Sequence, residues 1–390
     1  MTDEGWSIPQ QSLTRASPHR LGGSTHQDIV RAWLFAAGLV GLCGTVLYGP
    51  AALKTLLLGM VSAVVTEAGV ALATRRQIGE RLGRGALIGL LLGLTLPATV
   101  PGYVTVVGSV ISILVGRVVF GGFLNPALTG RVIVQFLFAG HLSLSGALAV
   151  SPVLALGHQL VGDITRGGMV QDYQGWFDTR APIGKAALLL ERPVQALRRF
   201  AQDGVAADGD LHYTPLLRDV LPPWQDTLFG VVPGGIGETP TLMLIVAGLY
   251  LIYRGYLRWQ LPAVVLASAA VAASILPVQL GGTYHWFPVL AAEQGHAVGL
   301  AYVLYHLTAG QLMLGAFLLA GDVTASPMRV HGQLVFAVGI GVLTIFMRLY
   351  GVLSGECYWS ILIMNALVGT IDRWMKRPVL GMGDVGLKGI

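Results

Sequence analysis

The stretch ALIGLLLGLTLPATVPGYVTVVGSVISILVG, at 86–116, carries no charged residue and contains two prolines, Pro97 and Pro101, near its middle. A run of this length predicts membrane-embedded helix, because about 20 apolar residues cross the ~30 Å hydrocarbon core of a bilayer. The prolines predict a break, since proline removes a backbone donor and disfavours helix at the residue before it. Such a break is tolerated at membrane depth only where protein or a cavity surrounds the freed backbone groups. We therefore expect a broken or re-entrant pair of helices here.

The composition of the whole chain agrees with a membrane protein. Of its 390 residues, 54% are hydrophobic and 12% are charged, with a mean hydropathy of +0.67. Soluble domains carry about 25% charged residues. The formal charge is +5, but most of the Lys and Arg residues lie at the ends of apolar runs. That distribution is typical of membrane topology signals, and we expect membrane lipid rather than nucleic acid as the surrounding partner.

Ten apolar runs predict an all-α polytopic membrane fold with about ten transmembrane helices. The spans lie near 30–48, 52–73, 86–101, 103–120 and 131–150, and, after a polar stretch, near 237–253, 261–277, 297–320, 333–350 and 358–373. The predicted organisation is an N-terminal tail at 1–28, a first five-span half at 29–150, a loop segment at 151–236, a second five-span half at 237–374 and a C-terminal tail at 375–390. Because five is odd, the second half enters the membrane inverted, as in folds with a functional crevice between two halves.

Arginine positions predict the orientation of these spans. Arg75, Arg76, Arg81 and Arg84 follow the second span, and Arg373 closes the tenth, whereas the short loop at 278–296 contains no Lys or Arg. The positive-inside rule then places both termini in the cytoplasm and the 151–236 segment on the opposite face.

Cysteine and histidine give little indication of a metal centre. Cys43 and Cys357 both fall inside apolar runs, where packing is the expected role, and an iron–sulfur cluster needs about four thiolates. His141 and His306 lie within predicted spans and could ligate haem as a facing pair. They lack a paired spacing on two helices, which favours hydrogen bonding within the bundle. We predict no metal site.

Carboxylates at membrane depth mark candidate sites, because burying a charge there is costly. Glu67 lies in the second span, Glu238 at the start of the sixth and Asp322 at the end of the eighth. Each could instead cap a helix or pair with an arginine. Glu238 stands in the turn GIGETPT (235–241), where the free N–H groups of a helix start favour an anionic ligand, and where a carboxylate could equally be a simple charge cap.

The polar segment contains the stretch DGDLHYTPLL at 208–217. Pro215 holds the preceding Thr214 extended, and Asp-Gly-Asp is turn chemistry, so the Thr214 hydroxyl is predicted to be exposed on a loop. Taken alone, this pattern does not indicate a function.

Several motifs resemble the RnfD protein of the Rnf electron-transport complex and the NqrB protein of the sodium-pumping NADH:quinone oxidoreductase. They are GGIGETPTLMLIVAGLYLIYRGYLRW (234–259), AGDVTASPMRVHGQLVFAVGIGVLTIFMR (320–348), SILIMNALVGTIDRW (360–374), LLLGLTLPATVP (90–101) and FGGFLNPALTGR (120–131). The resemblance covers most of the chain from about residue 55. It implies ten spans in two inverted halves with a urea-channel-like fold, in the bacterial inner membrane. It also implies partner subunits, both membrane and peripheral, of an Rnf- or Nqr-like ion-translocating complex.

The same resemblance implies a cofactor. Family members carry FMN joined by a phosphoester to a threonine in the loop between the halves, attached by a flavin transferase. Asp208, Gly209, Pro215 and Leu216 match the family signal around Thr214, which is therefore the implied attachment residue. A second, non-covalent flavin is a further expectation.

Further site residues follow from the matched motifs. Gly237, Glu238 and Thr239 are implied to lie near the cofactor, and Glu67, Asn125 and Asp322 to line an ion pathway or to serve the structure. No catalytic residue is assigned.

One departure from the family pattern keeps an alternative open. Small residues normally precede the threonine, and here Leu211, His212 and Tyr213 stand in their place. Their bulk would hinder a transferase, so a structural, channel or transporter protein without covalent flavin is the competing hypothesis.

The predicted topology can be tested with reporter fusions along the chain. We expect a periplasmic reporter to be silent when fused after residue 80 and active when fused within 160–220. The opposite activity at either position would exclude this orientation.

Overall fold

The computed structural model describes residues 26–75, 79–142, 224–230, 234–280, 283–290, 296–322, 324–327, 329–350 and 355–374. Helices dominate these residues. Residues 1–25 of the predicted N-terminal tail, the predicted tail at 375–390 and most of the 151–236 segment, including Asp208, Gly209, Thr214 and Pro215, lie outside the described part, whereas residues 26–28 belong to the first helix.

The first part of the chain forms a run of helices joined by short turns. They are α1 His26–Tyr48, α2 Pro50–Ala73, α3 Gly79–Thr95, α4 Gly102–Ile111, which continues as a π-helix over Ser112–Val119, and α5 Pro126–Leu137, followed by a 3₁₀ turn over Ala139–Leu142. Proline starts α2 and α5, where a missing N–H costs no helical hydrogen bond. The prolines at 97 and 101 separate α3 from α4, so the predicted break is present.

The second part of the chain contains shorter helices and one hairpin. The helices are α6 Trp224–Phe229, α7 Thr241–Tyr253, α8 Gln260–Ile275, α9 His296–Thr308, α10 Leu312–Leu314, which continues as a π-helix over Gly315–Leu319, α11 Val330–Tyr350 and α12 Glu356–Trp374. Between α8 and α9, strands β1 Val278–Leu280 and β2 Thr283–His285 pair antiparallel, with Val278 opposite His285.

The hairpin is a small addition to a fold that is otherwise helical, as predicted. Two glycines, Gly281 and Gly282, stand between the strands in the sequence, and a two-residue Gly-Gly connection is a strong hairpin signal. The sequence analysis did not predict this hairpin, because it assigned the apolar runs on either side to membrane spans.

Among the described residues, four helices are long and apolar enough to cross a membrane: Gln27–Tyr48, Pro50–Ala73, Gly102–Val119 and Val330–Tyr350. A fifth crossing is possible if Gly299–Thr308 and Leu312–Leu319, which meet at a 59° bend, act as one broken span. Helix α7 has 13 residues and α8 has 16, both less than the ~20 that cross a bilayer without help. The described residues thus support a multi-pass helical membrane protein.

Small residues bring the helices into close contact. At the crossing of α2 and α3, a methyl group added to Gly89 would lie 2.2 Å from the Gly59 carbonyl oxygen. Helices in a bilayer gain no hydrophobic free energy by associating, because lipid tails are as apolar as their side chains. Close backbone approach of this kind stabilises the helix pair through dispersion contacts instead.

We predict that Gly89→Ala lowers the thermal unfolding midpoint of the detergent-solubilised protein, because α2 and α3 must move apart. Overpacking of this kind typically costs about 1–3 kcal/mol. Gly69→Ala, in the interior of α2, is the matched control, since a methyl group there meets no atom within 4 Å. Equal midpoints for the two variants would refute the role of the close crossing.

Candidate functional site

A central crevice forms where the break after α3 meets the turn before α7. We define it by residues 94–98 and 234–241, together with Tyr48 and Tyr358. Gly237 N donates to Leu94 O at 2.8 Å and Ile236 N donates to Leu96 O at 3.0 Å. Since Pro97 and the helix end leave these carbonyls without helical donors, the turn supplies the missing partners. Gly237 is required at this point because a Cβ there would lie 2.7 Å from Leu94 Cβ.

Glu238 is buried in this crevice with two direct hydrogen bonds. Gly235 N donates to its Oε2 at 3.0 Å, and the Tyr358 hydroxyl donates to its Oε1 at 2.5 Å. The side chain is 1% exposed. The Glu238 carboxyl group therefore joins its own turn to α12. The next residue, Thr239, accepts a hydrogen bond from Tyr48 of α1 at 3.1 Å.

Two arginines that the sequence analysis did not single out lie at the helix breaks. Arg131 of α5 donates from Nε to Thr95 O at 3.2 Å, and Arg348 of α11 donates to His306 O and, at 2.9 Å, to Ala309 O. Both side chains are buried. The signal that could have found them is an arginine inside an apolar run, which is rare unless it has a partner.

A second polar region is a pocket at what we call the basic end of the bundle, defined by Arg81, Arg84 and Arg117. The cavity measures about 240 Å³. Its lining is mostly apolar, and its polar members are Trp33, Arg84, Arg117, Asn125, Asp322 and Thr324. Gly121 and Gly122 form one wall with φ of 62° and 81°, a conformation that glycine adopts without strain. The indole N–H of Trp33 has no partner among the described residues.

Glu67 lies beside this pocket and is paired with arginines. Its Oε2 contacts Arg117 and its Oε1 lies 3.9 Å from Arg81 Nη1, while the Glu67 side chain is 1% exposed. Burying a carboxylate this deeply is costly without such partners. The arrangement matches the ion-pair alternative considered for Glu67.

Asn125 ties the pocket to distant parts of the chain. It caps α5 by accepting from Leu128 N at 3.3 Å, and its amide donates to Leu319 O, at the end of the second π-helix, at 3.0 Å. The Asn365 side-chain amide is oriented so that both of its polar atoms form hydrogen bonds. Its oxygen accepts from the Asn125 backbone N–H at 3.1 Å, and the Asn365 side-chain nitrogen donates to Ala325 O at 2.9 Å.

Asp322 takes part in a local turn at the pocket edge. It accepts hydrogen bonds from Thr324 N at 3.1 Å and from the Thr324 hydroxyl at 2.9 Å. Desolvation raises the pKa of the Asp322 carboxyl, and the two Thr324 hydrogen bonds and the Arg84 charge act in the opposite direction.

The predicted site residues fall into two groups in space. Glu67, Asn125 and Asp322 gather at the basic end, through the pocket lining and through Arg117. Gly237, Glu238 and Thr239 lie together in the central crevice. The Thr214 segment lies outside the described residues, so its distance from either group is not defined. The arginine partners and Tyr358 were not foreseen.

Comparison with known proteins identifies relatives along nearly the whole chain. The sequence model of the NQR2, RnfD, RnfE family matches residues 13–381. The D subunit of the ion-translocating oxidoreductase complex of Halorhodospira halophila is 30% identical, over 95% of this chain and 96% of the relative. The D subunit of the proton-translocating ferredoxin:NAD(+) oxidoreductase complex of Clostridium ljungdahlii is 30% identical, over 94% and 95%. The D subunit of the Na(+)-translocating ferredoxin:NAD(+) oxidoreductase complex of Acetobacterium woodii is 26% identical, over 95% of each chain.

We predict that Arg117→Ala destabilises the protein by about 3 kcal/mol, because removing one partner of a buried pair leaves an uncompensated charge. Adding Glu67→Gln to this variant should restore much of the loss. Thermal unfolding in detergent measures both effects.

The matched control is Arg31→Ala. Arg31 lies 3.9 Å from Asp28 and its side chain is 75% exposed, so its loss should cost less than about 1 kcal/mol. If Arg117→Ala proves no more destabilising than Arg31→Ala, the buried pair does not stabilise the basic end.

Proposed function

This chain belongs to the NQR2, RnfD, RnfE family, and on that basis we propose that it is the membrane flavin-carrying subunit of an Rnf- or Nqr-like ion-translocating electron-transport complex. The observation that carries this proposal is the family match over residues 13–381, together with relatives of nearly equal length. Those relatives are the D subunits of ion-translocating oxidoreductase complexes. We propose that its partners are the other membrane and peripheral subunits of such a complex.

We propose that the chain spans the bacterial inner membrane ten times, in two inverted five-helix halves. Two features support an internal repeat. The α3–α4 break and the α9–α10 bend each interrupt a helix of one half, and a π-helix ends shortly before an Asn-Pro in one half and a Ser-Pro in the other. In this orientation the basic end faces the cytoplasm, as the positive-inside rule requires, and both termini lie there too.

We propose that Thr214 carries covalent FMN on the opposite face of the membrane, where a flavin transferase attaches it. The support is the match of Asp208-Gly209 and Pro215-Leu216 to the family signal on both sides of Thr214. FMN supplies electron transfer, and the part of the chain is to position the flavin and to set its electrostatic surroundings.

We propose that the second, non-covalent flavin binds in the pocket at the basic end. A flavin ring has an apolar edge and a hydrogen-bonding edge, and ligand pockets of this kind are mostly apolar with a few placed polar groups. Leu87, Ile88 and Leu91 would pack against the apolar edge, and the Trp33 N–H, which has no partner among the described residues, would serve the polar edge. Arg84 lines the same cavity. Its positive charge would stabilise a negatively charged, reduced group bound there, because charges attract more strongly in surroundings of low dielectric constant.

The competing proposal is a structural or channel protein of the complex without covalent flavin. It is supported by the bulky residues Leu211, His212 and Tyr213 beside the implied attachment site.

The two proposals differ in the mass of the protein. We expect a tagged chain purified from its own bacterium to bring down further membrane and peripheral subunits and to show an intact mass raised by one FMN. Thr214→Val should remove that adduct and leave the co-purification unchanged, since only the hydroxyl is lost.

The matched control is Thr239→Val, at the second Thr-Pro in the sequence. Thr239 is buried and hydrogen-bonded to Tyr48, so it is not open to a transferase, and the adduct should persist in this variant. An adduct that survives Thr214→Val would move the attachment to another residue. Wild type without an adduct, but with its subunits, favours the competing proposal. A chain that purifies alone contradicts membership of a complex.

A further inference from the structure

The hairpin between α8 and α9 presents a cluster of aromatic side chains on the surface of the protein. Tyr284, Trp286 and Phe287 are exposed, and so is Leu290 in the turn that follows. We call these four residues the aromatic rim. Trp286 alone is 61% exposed. Large apolar side chains that stand together on a surface mark a contact with another molecule or with a membrane.

The rim is attached to the ends of two long helices. The Tyr350 hydroxyl, at the end of α11, donates to Pro277 O, just before β1, at 2.5 Å. After β2, Phe287 N donates to Ile275 O, at the end of α8, at 3.5 Å. Both sides of the hairpin are therefore tied to the helices, and the rim has a fixed position relative to them.

The chemistry of the rim is aromatic and uncharged. The segment at 278–296 contains no Lys or Arg, and its one charged residue is Glu293. Phe287 has φ of 53°, in the left-handed region that costs free energy in any residue except glycine. An exposed aromatic residue held in this conformation indicates that the side chain has a use at this position.

Helix lengths give the depth of the rim. Helices α8 and α11 cross closely where a Cβ placed on Gly341 would lie 2.5 Å from Val265 O. From this crossing, Ile275 is ten residues along α8 and Tyr350 nine residues along α11, which is about 15 Å and about 14 Å at a helical rise of about 1.5 Å per residue. The two helices therefore end at the same level.

That level is one boundary of the hydrocarbon core. Helix α11 begins eight residues after Asp322, which lines the pocket at the basic end. Its 21 residues extend about 31 Å, close to the ~30 Å thickness of the hydrocarbon core. Tyr350, and the rim attached to it, therefore lie at the boundary opposite the basic end.

The rim also continues the lipid-facing surface of α11. Val338, Val342, Phe346 and Tyr350 recur every four residues, so they share one face, and all four are exposed. Because α11 is long and apolar enough to cross a membrane, this face contacts lipid. The Phe346 and Tyr350 rings lie 5.1 Å apart, and Tyr350 is close enough to Tyr284 of the rim for an electrostatic interaction.

We propose that the aromatic rim binds the headgroup layer of the bilayer at the face opposite the basic end, and that it fixes the depth of α8 and α11 in the membrane. Tryptophan and tyrosine suit this layer because each has an apolar ring and a hydrogen-bonding group, and both are enriched there in membrane proteins. Since the rim carries no Lys or Arg, this binding does not require anionic lipid.

The test is the depth of Trp286 in liposomes of phosphatidylcholine that carries bromine, which quenches tryptophan fluorescence on contact, either near the ester groups or near the ends of the acyl chains. The full-length chain is reconstituted alone and, separately, together with the proteins that co-purify with it. The emission of Trp286 is the difference between wild type and Trp286→Phe, which keeps an aromatic ring in the rim. In both samples we expect bromine near the ester groups to remove most of this emission, and bromine near the chain ends to remove much less.

Trp33→Phe is the matched control, because Trp33 is 4% exposed and packs against Gly321. The emission that this variant loses should be insensitive to bromine at either depth. Leu290→Trp is a second reporter, which adds an indole at an exposed rim position, and it replaces Trp286→Phe if that variant fails to fold. Its added emission should show the same depth profile as that of Trp286.

Three results would overturn the proposal. Emission from Trp286 that acrylamide quenches and neither lipid affects would place the rim in water. Stronger quenching by bromine near the chain ends would place it in the hydrocarbon. Quenching in the chain alone that disappears when the co-purifying proteins are present would assign the rim to a protein interface.

Discussion

The constraint on which the structure depends is the need to satisfy the carbonyl groups that two broken helices leave inside a membrane protein. In hydrocarbon an unsatisfied backbone group costs several kcal/mol. At the first break, Leu94, Thr95 and Leu96 receive donors from Gly237, Arg131 and Ile236, in that order. At the second break, the Thr308 carbonyl receives the Thr241 hydroxyl at 3.0 Å. The turn at 234–241 thus serves both breaks, which explains why it is rich in glycine and lies between the two parts of the chain.

The buried polar groups described above lie in two regions, the central crevice and the pocket at the basic end, and these regions differ in how their polar groups are paired. The central crevice is built from groups that bind one another, such as Glu238 with Tyr358 and Thr239 with Tyr48. The pocket at the basic end has a cavity, an unpaired indole N–H and an excess of arginine. Among the described residues, the Trp33 N–H has no partner, so the basic end is the better suited of the two regions to bind a ligand.

Much of this architecture was predictable from the sequence. Uncharged runs of helical length located the helices, and Pro97 and Pro101 located the first break, because both signals are local. The second bend was not foreseen, since His306-Leu307-Thr308 continues an apolar run without a proline. The hairpin at 278–285 was also missed. The pairing of Glu67 with an arginine was one of the alternatives left open, and Arg117 was not named as the partner, because partner choice depends on how α2 and the π-helix after α4 pack. Arg131 and Arg348 were not singled out, since their acceptors are backbone carbonyls far away in the sequence, and no residue pattern encodes such a contact.

Because the carbonyl groups at the first break depend on residues 236 and 237, they lack these partners during synthesis and membrane insertion. The ribosome completes Leu94 and Leu96 long before it reaches Ile236 and Gly237. At synthesis rates of about 5–20 residues per second, the delay is on the order of 10 s. During that interval the nascent first half holds unsatisfied carbonyls at membrane depth, where water, lipid headgroups or the insertion machinery must shield them. The first half therefore matures only when the second arrives, and a chain truncated before residue 236 is expected to be a substrate for quality-control proteolysis rather than a stable half-protein.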